Sequence, residues 1–396
     1  MIDLLLAHDH TPEADAALVG ALEWHTAQVL ASAGQGRRAW VEQAEANVGD
    51  DPTGRIVFDP AGYATVHAAG RSWAGGRFEA PTLATLRARA ADTAATTGGG
   101  RCTLWVLDGE GPATDVAALQ ATAPEGTLFQ VASQFNTLEA PGPRVVPVAK
   151  YLSDPTQGPR AAVSAFPGAL VRHYAAPSPD GGRFVQRTDG PQVELLADAL
   201  PHDVARVDNG YLRTQGIADD SAFAACLAER FDQLRVGVHD GVEVALGFNW
   251  DGGVEGDRRV AQAFTSTLAG GGYSDRGITE GPLAAGCALL LRGAYLGTLL
   301  AAVALGQRAV VLTLIGGGVF GNPAPAIWDA ILWAVKEVDR CAPSPLLVLV
   351  NGRTLSRTVP AARLVDAARQ HGGAYLTLDR GAYYGAPLPP ARIHRG

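Results

Sequence analysis

Four glycines within six positions give the clearest chemical signal in the chain. Gly316, Gly317 and Gly318 follow an apolar run, and Gly321 stands just before a helix-like segment. Glycine permits positive φ angles, and a glycine-rich turn lets backbone amides converge on an anion at a helix N-terminus. The pattern predicts a phosphate or diphosphate site, although a tight strand-to-helix turn with no ligand would also use such a run.

Two standard nucleotide-binding interpretations fit poorly. The spacing matches GxGxxG, but in a dinucleotide-binding fold the next strand should end in an acid. Here the apolar run at 345–350 is followed by Asn351. Few strand–helix units remain to complete a dinucleotide half. No Lys-Ser or Lys-Thr follows the glycines, which excludes a Walker loop. Only the GxGxxG spacing still supports an NAD-dependent oxidoreductase.

An aromatic side chain lies inside the glycine run. Phe320 could cover the face of a ribose while neighbouring amides bind phosphate oxygens, and it could equally fill the core.

The elements around the run predict the fold class. Apolar strand-like segments at 102–108, 127–136, 308–315 and 345–351 alternate with helix-like segments, and 102–108 and 127–136 are expected to pair in parallel. This alternation predicts an α/β fold of three layers, with a mixed, largely parallel sheet and helices on both faces. Ligands in such folds bind beyond the carboxyl ends of the strands.

The remaining segments suggest two regions. Residues 1–100 read as a helical and extended accessory region, with a helix at 12–33 and another from about Pro81, capped by Glu79 or a neighbour. Residues 101–396 form the predicted ligand-binding domain. Within it, 175–225 looks like an insertion, and 175–190 carries the Pro, Gly and Asp of a hairpin or surface loop.

Composition excludes some partners. A net charge of −8 gives no field that would attract duplex nucleic acid or an anionic membrane surface. Four widely spaced cysteines without a CxxC pair indicate neither a zinc site nor a disulfide framework, and no metal or cofactor is expected. The sequence lacks a basic leader followed by a long apolar run, so a cytoplasmic protein is expected.

Several segments together resemble the macrodomain superfamily, whose members bind ADP-ribose. The late loop GVFGNP at 318–323, the strand end VASQFN at 131–136 and the stretch ATDVAAL at 113–119 carry the resemblance. More narrowly, SQFNTLE, YLSDPTQGPRAA, LRVGVHDGVEV, AQAFTSTL and TLIGGGVFGN are similar to a divergent branch of macrodomain hydrolases. That branch includes a bacterial effector that removes ADP-ribose from arginine of ubiquitin. The matching segments span about residues 102–352.

The resemblance implies a set of ligand contacts. Asp115 and Val116 would receive adenine, and Asn136 would approach the distal ribose. The full set of implied ADP-ribose contacts is Asp115, Val116, Gln134, Asn136, Asp154, Gln157, Gly158, Gly316, Gly317, Gly318, Val319, Phe320, Gly321 and Asn322. Asp154 could instead cap the following helix. Because DPTQGP has one glycine where macrodomains commonly have three, their mechanisms cannot be copied onto this chain.

Hydrolysis of ADP-ribose from a side chain needs a carboxylate or an oriented water near the anomeric carbon. The candidates are Asp251 and Asp257, which bracket a glycine-rich loop, with Asp240 as third choice; each could also be a solvated turn residue. Two acids in one loop could also hold a guanidinium. Glu139 could reach the distal ribose, but a surface position is equally compatible.

The sequence therefore predicts an ADP-ribosyl hydrolase that cleaves ADP-ribose from a protein, with arginine as the candidate attachment residue. A non-catalytic ADP-ribose-binding module is the alternative, because it would retain the same ligand contacts.

Overall fold

A computed structural model describes residues 1–31, 38–109, 112–250, 254, 256–278, 281–353, 355–378 and 391–395. The α-helices in these ranges are α1 (Ile2–Leu6), α2 (Pro12–Ala31), α3 (Ala39–Asp50), α4 (Pro52–Arg55), α5 (Leu83–Thr97), α6 (Val116–Ala121), α7 (Gln157–Ser164), α8 (Phe166–Tyr174), α9 (Asp220–Glu229), α10 (Gly281–Ala304), α11 (Ala324–Cys341) and α12 (Ala361–Gln370). Short 3-10 turns occur at Pro112–Thr114, Val148–Ser153, Phe231–Gln233, Phe248–Trp250, Gly271–Tyr273 and Leu355–Arg357.

The strands are β1 (Ile56–Phe58), β2 (Ala64–Ala68), β3 (Arg71–Glu79), β4 (Thr103–Asp108), β5 (Thr127–Ala132), β6 (Ala176–Pro177), β7 (Arg183–Phe184), β8 (Ala205–Asp208), β9 (Tyr211–Ile217), β10 (Gly237–Glu243), β11 (Arg259–Thr265), β12 (Ala309–Leu312), β13 (Leu347–Arg353), β14 (Tyr375–Leu378) and β15 (Ala391–His394). Eleven of them form one sheet in the order β1-β2-β3-β10-β11-β5-β12-β13-β4-β14-β15. From β11 to β14 all neighbours are parallel, and the pairs outside this block are antiparallel. The mixed, largely parallel sheet confirms the predicted fold class.

Apolar side chains bury both faces of the parallel block. In β5, Leu128 joins a core with α5, α9, α10, α11 and α12, whereas Phe129 and Val131 join a second core with α1, α2, α6 and α7. Successive strand residues point to opposite faces, so a strand covered on both sides must be apolar throughout. This is why the continuous apolar runs identified the strands, and it gives the three-layer arrangement.

The N-terminal part extends the same sheet. β3 pairs antiparallel with β10, and a third apolar cluster, which includes Trp73, Tyr151 and Phe166, packs α3 and α8 around this end. Helix α5 begins later than predicted, because Thr82 and not Glu79 caps it by accepting a hydrogen bond from the Thr85 amide at 3.2 Å. The division at residue 100 stays a prediction, since one sheet runs through both parts.

Other sequence expectations need correction. β4 and β5 belong to the same parallel block but do not pair, because β12 and β13 lie between them. The segment 345–351 is not the last strand, since β14 and β15 follow it and close that edge. The expected hairpin at 175–190 is confirmed as β6 and β7.

Helix α10 is long and apolar enough to cross a membrane by length and composition alone. Most of it is buried between α5, α9 and α11, and core helices of soluble proteins pass the same test. All four cysteines are free thiols.

Candidate active site

A cavity of about 360 Å³ opens where four parallel strands end. Its walls come from the segments that follow β5, β11 and β12 and from the last residues of β13. Carboxyl ends of parallel strands meet at one edge of a sheet, where open α/β folds bind ligands. Two of the wall segments are the glycine loop, residues 313–322, and the acid loop, residues 133–140.

Two buried side chains fix the ends of the glycine loop. The Tyr295 hydroxyl donates to the Thr313 carbonyl at 2.8 Å and accepts from the Ile315 amide at 2.9 Å. At the other end, the Asn322 amide nitrogen donates to the Leu268 carbonyl at 3.0 Å, and its oxygen accepts from the Cys287 thiol at 2.8 Å. Asn322 therefore supports the loop and does not line the cavity.

Between these anchors the loop presents unpaired backbone donors. The amides of Gly316, Gly318, Val319 and Phe320 have no acceptor in the described part of the chain, and all four residues line the cavity. Unpaired donors that converge in a glycine-rich turn suit an anion. The arrangement fits the predicted phosphate site.

Glycine is required at one position of this loop by its conformation and its surroundings. Gly316 has φ +71°, and a Cβ built there would lie 2.4 Å from the Thr267 Cγ2 atom and 2.5 Å from the Asn322 side-chain nitrogen. Gly321, at φ +64°, turns the chain towards α11 but lies outside the cavity lining.

The opposite wall is the N-terminus of α7. The amides of Gln157 and Gly158 have no acceptor within the described ranges, and both residues line the cavity. A Cβ on Gly158 would lie 2.0 Å from the Ala132 carbonyl oxygen, so only glycine lets α7 approach the end of β5. Asp154 lines the same wall and accepts from the Thr156 amide at 2.9 Å, whereas Thr156 is the N-cap residue of α7, so ligand contact by Asp154 stays a prediction.

Three aromatic rings close one side of the cavity. Tyr211 and Tyr273 stack with centroids 5.4 Å apart, and Phe320 meets Tyr273 edge-on at 5.2 Å. Phe320 is half-buried against these rings and lines the cavity, so it is available to a ligand. Tyr211 comes from β9, within the region predicted to be an insertion.

Glu139 is a buried carboxyl group on the cavity wall. Its side chain is 1% exposed, and neither of its oxygens has a hydrogen-bond partner among the described residues. Burial raises the pKa of Glu139 to about 8, with the nearby Arg172 acting in the opposite direction. Burial therefore favours the protonated form of this carboxyl group.

Arg172 lies beneath Glu139 and is fully buried. Its Nη2 atom is 3.6 Å from Glu139 Oε2, its Nε atom donates to the Thr137 carbonyl at 3.1 Å, and its guanidinium lies 3.6 Å from the centre of the Phe264 ring. Burial, followed by the Arg172 charge, holds the pKa of His239 well below its usual range. A neutral His239 can accept from Arg172 Nη1 through Nδ1, which lies 3.2 Å away.

Two more polar side chains enter from β13. Asn351 donates to the Thr114 carbonyl at 2.8 Å, which leaves its buried Oδ1 without a partner among the described residues. Arg353 lines the cavity in a left-handed conformation, with φ +42°. Asn351 thus offers an acceptor to a ligand and Arg353 a cation.

Of the implied ligand contacts, those that line the cavity are Gln134, Asp154, Gln157, Gly158, Gly316, Gly317, Gly318, Val319 and Phe320. Asp115 and Val116 lie behind the α7 wall. Asp115 caps α6 and pairs with Arg160, and the Val116 amide donates to Gln157 Oε1 at 3.0 Å.

Asn136 also lies outside the cavity lining. Its side chain donates to Gln192 at 2.9 Å and accepts from the Leu138 amide at 3.1 Å, and Gly210 covers it. The Asp115 and Asn136 side chains bond neighbouring segments of the chain and do not line the cavity. Adenine binding by Asp115 and ribose binding by Asn136 therefore stay predictions.

The acids favoured as catalysts are not brought to the cavity in the described ranges. Asp240 accepts from the Tyr63 hydroxyl at 2.5 Å on β10 and does not line the cavity. Asp257 is exposed near the start of β11, also outside the lining, and Asp251 lies outside the described residues. In those ranges no group of three or more His, Cys, Asp or Glu residues could hold a metal ion.

Sequence reasoning missed several cavity residues: Tyr211, Tyr273, Thr267, Asn351 and Arg353. Asn351 was noted only because it is not an acid, although its place at a strand's carboxyl end was the usable signal. Nothing in the sequence near Tyr211 indicated that a hairpin would reach across to the cavity.

No protein-family model and no curated protein matches the chain. Among solved structures, a poly(ADP-ribose) glycohydrolase from Thermomonospora curvata bound to the inhibitor ADP-HPD is 16% identical, with a TM-score of 0.37 over 84% of this chain and 98% of the other. The T267K mutant of the poly(ADP-ribose) glycohydrolase from Deinococcus radiodurans, in complex with ADP-ribose, is 13% identical, with a TM-score of 0.41 over 74% and 93% of the two chains. At such identities and TM-scores, the activity must be argued from this chain's own residues.

Proposed function

We propose that the protein binds ADP-ribose in this cavity and hydrolyses the bond between ADP-ribose and a modified protein. One observation carries the proposal: two walls of a single cavity present amides that have no acceptor in the described ranges, at Gly318, Val319 and Phe320 on one side and at Gln157 and Gly158 on the other. Such donors suit a diphosphate bound largely by backbone.

The rest of the wall suits the sugars and the base of a nucleotide. The aromatic rings of Tyr273 and Phe320 offer faces to a ribose or a purine, and Asn351 and Arg353 supply polar contacts. The macrodomain-like motifs favour ADP-ribose among diphosphate nucleotides. An oxidoreductase is disfavoured, because β13 supplies Asn351 where a dinucleotide site needs an acid.

Hydrolysis is assigned to Glu139. As the glycosidic bond at the anomeric carbon breaks, the protonated carboxyl group donates its proton to the leaving atom of the modified side chain. A water molecule adds its hydroxyl to the anomeric carbon and returns a proton to the Glu139 carboxylate. The products are free ADP-ribose and the unmodified side chain, so the step needs no metal or cofactor.

Arginine is the proposed attachment residue, because the narrower motifs resemble the branch that acts on arginine of ubiquitin. Cleavage releases the side chain as a guanidine that takes up one proton to become guanidinium, and a protonated Glu139 carboxyl group would supply that proton. We also propose a cytoplasmic protein without affinity for duplex nucleic acid or membranes, from its charge of −8.

Calorimetry with free ADP-ribose tests binding, with NADH as the competing ligand. Incubation with proteins ADP-ribosylated on arginine and on glutamate then tests turnover. We expect saturable ADP-ribose binding and release of ADP-ribose from the arginine-linked protein. Binding without release from either protein would instead support the non-catalytic module, and NADH binding alone would support the oxidoreductase.

A further inference from the structure

The backbone around Glu139 is held by one side chain of its own loop. The Gln134 amide nitrogen donates to the Ala140 carbonyl at 3.1 Å, and Gln134 Oε1 accepts from the Ala140 amide at 3.0 Å. The Gln134 backbone amide also donates to the Leu138 carbonyl at 2.9 Å. Gln134 therefore fixes both peptide groups that flank the Glu139 Cα atom.

A second hydroxyl reinforces this contact from another part of the chain. Tyr211 donates from its hydroxyl to the Ala140 carbonyl at 2.9 Å and accepts from the Gln134 amide nitrogen at 3.2 Å. It is only 3% exposed, and burial raises the pKa of its hydroxyl, so the group keeps the proton that it donates. Gln134, Tyr211 and Ala140 form a closed triangle of hydrogen bonds.

The hairpin that carries Tyr211 is docked on the acid loop. The Phe135 amide donates to the Gly210 carbonyl at 2.8 Å, and a Cβ on Gly210 would lie 2.6 Å from the Asn136 Cγ atom. Gly210 also has φ +81°, so another residue there would be strained as well as crowded. The backbone contact sets where Tyr211 stands relative to Ala140.

The Glu139 carboxyl group has a charged neighbour, Arg172, and its direction also depends on the main chain that carries it. Its oxygens have no hydrogen-bond partner among the described residues, and Arg172 Nη2 at 3.6 Å is beyond hydrogen-bond length. A proton donor misplaced by about 1 Å loses much of its rate advantage. The main chain therefore helps to set the direction of the carboxyl group.

We propose that Gln134 and Tyr211 are positioning residues, which aim the Glu139 carboxyl group at the leaving atom through the main chain at Ala140, the residue that follows it. The inference rests on the proposed function, since it needs Glu139 to be the acid of that reaction. It gives Gln134 a task other than ligand binding, and it makes the β8–β9 hairpin part of the catalytic apparatus.

The test is a double-mutant cycle with Tyr211→Phe and Glu139→Gln, assayed on the ADP-ribosylated protein that the wild type turns over. Tyr211→Phe keeps the ring stacked on Tyr273 and removes only the hydroxyl. In the wild-type background we expect kcat to fall by about tenfold, with the Kd for ADP-ribose within about twofold. In the Glu139→Gln background the same substitution should change kcat by less than about twofold.

Two further variants keep the result interpretable. Tyr63→Phe is the matched control, because it also removes a tyrosine hydroxyl bonded to another residue, here Asp240, outside the cavity lining. Its kcat should equal that of the wild type.

Gln134→Glu retains the acceptor for the Ala140 amide but loses the donor, so it should lower kcat at least as much as Tyr211→Phe.

The outcomes separate the two proposals. Equal loss of kcat from Tyr211→Phe in both backgrounds, an unchanged kcat, or a loss confined to the Kd would each overturn the positioning role while leaving an active hydrolase. A wild-type protein that binds no ADP-ribose, or binds it and releases none from any modified protein, would overturn the proposed function and this inference with it.

Discussion

The acid loop and the glycine loop line the same cavity but expose different groups to it. At the acid loop, Gln134, Asn136 and Tyr211 satisfy backbone groups, and the Glu139 carboxyl group has no hydrogen-bond partner among the described residues. In the glycine loop, Tyr295 and Asn322 hold the ends, while the amides of Gly316, Gly318, Val319 and Phe320 have no acceptor among the described residues. A loop that offers backbone donors suits binding, and a loop that offers one oriented acid suits proton transfer.

The largest expected effect would separate these two tasks. Replacing Glu139 by Gln removes the proton donor but keeps the size of the side chain. We expect kcat to fall by about 10²- to 10⁴-fold while the Kd for ADP-ribose changes by less than about threefold. Steady-state kinetics and calorimetry on the same preparation measure both. Loss of binding together with turnover would show that the acid loop also binds the ligand.

The reverse result is expected from the glycine loop. Gly316→Ala places a Cβ 2.4 Å from the Thr267 Cγ2 atom at a positive φ, so the loop must shift. Its backbone amides then no longer point to the same position in the cavity. The Kd for ADP-ribose should rise at least about tenfold.

Gly76→Ala is the matched control for that substitution. Gly76 also has a positive φ, +76°, and a Cβ there would lie 2.5 Å from the Asp240 carbonyl, away from the cavity lining. Calorimetry should show that it costs stability without changing the Kd of the folded protein. Similar Kd values for the two alanine variants would contradict a binding role for the glycine loop.

The pH dependence tests whether Glu139 acts in its protonated form. Since the pKa of Glu139 is raised to about 8, the acid form predominates below that pH and is lost above it. We expect kcat to fall by about tenfold per pH unit above pH 8, and this limb to be absent from the residual activity of Glu139→Gln. A rate that instead rises through pH 8 would make Glu139 a base or a nucleophile.

The same group should affect stability in a defined direction. Its pKa is raised on folding from the ordinary 4.5 to about 8, so its stabilising contribution is complete below pH 4.5 and is lost as pH rises to 8. The stability of Glu139→Gln relative to that of the wild type should therefore be higher at pH 8.5 than at pH 5. Thermal unfolding at the two pH values measures the difference. An equal difference at both would mean that burial does not perturb this acid.

The smallest effect is expected at an acid outside both loops. Asp240→Asn leaves an acceptor for the Tyr63 hydroxyl and changes nothing on the cavity wall. We expect kcat within about twofold of the wild type. A loss of kcat comparable to that of Glu139→Gln would show that Asp240 is a catalyst. It would also contradict the assignment of proton transfer to the acid loop.

The sequence predicts the parallel strands and the glycine loop because these signals are local. β12 is apolar throughout since helices cover both its faces, and the loop after it must bend where only glycine fits. Strand order depends on contacts between distant segments. The positions of β12 and β13 between β4 and β5 therefore could not be predicted from the residues of β4 or β5. The last two strands were missed for want of long apolar runs.

The candidate catalysts show the same limit. Asp257 has the surroundings expected of a functional acid, in a polar, glycine-rich segment, but it is exposed. Glu139 owes its environment to Arg172, 33 positions away, and to the hairpin that carries Tyr211. Burial of an acid by distant segments cannot be predicted from its neighbours in the chain.

The central claim is that main-chain donors on two walls bind a diphosphate. A crystal structure of the protein soaked with ADP-ribose tests it most directly. We predict diphosphate oxygens within about 3.2 Å of the amides of Gly318, Val319 or Phe320 on one wall and of Gln157 or Gly158 on the other. An empty cavity, or a nucleotide whose phosphates are held only by side chains, would contradict the account.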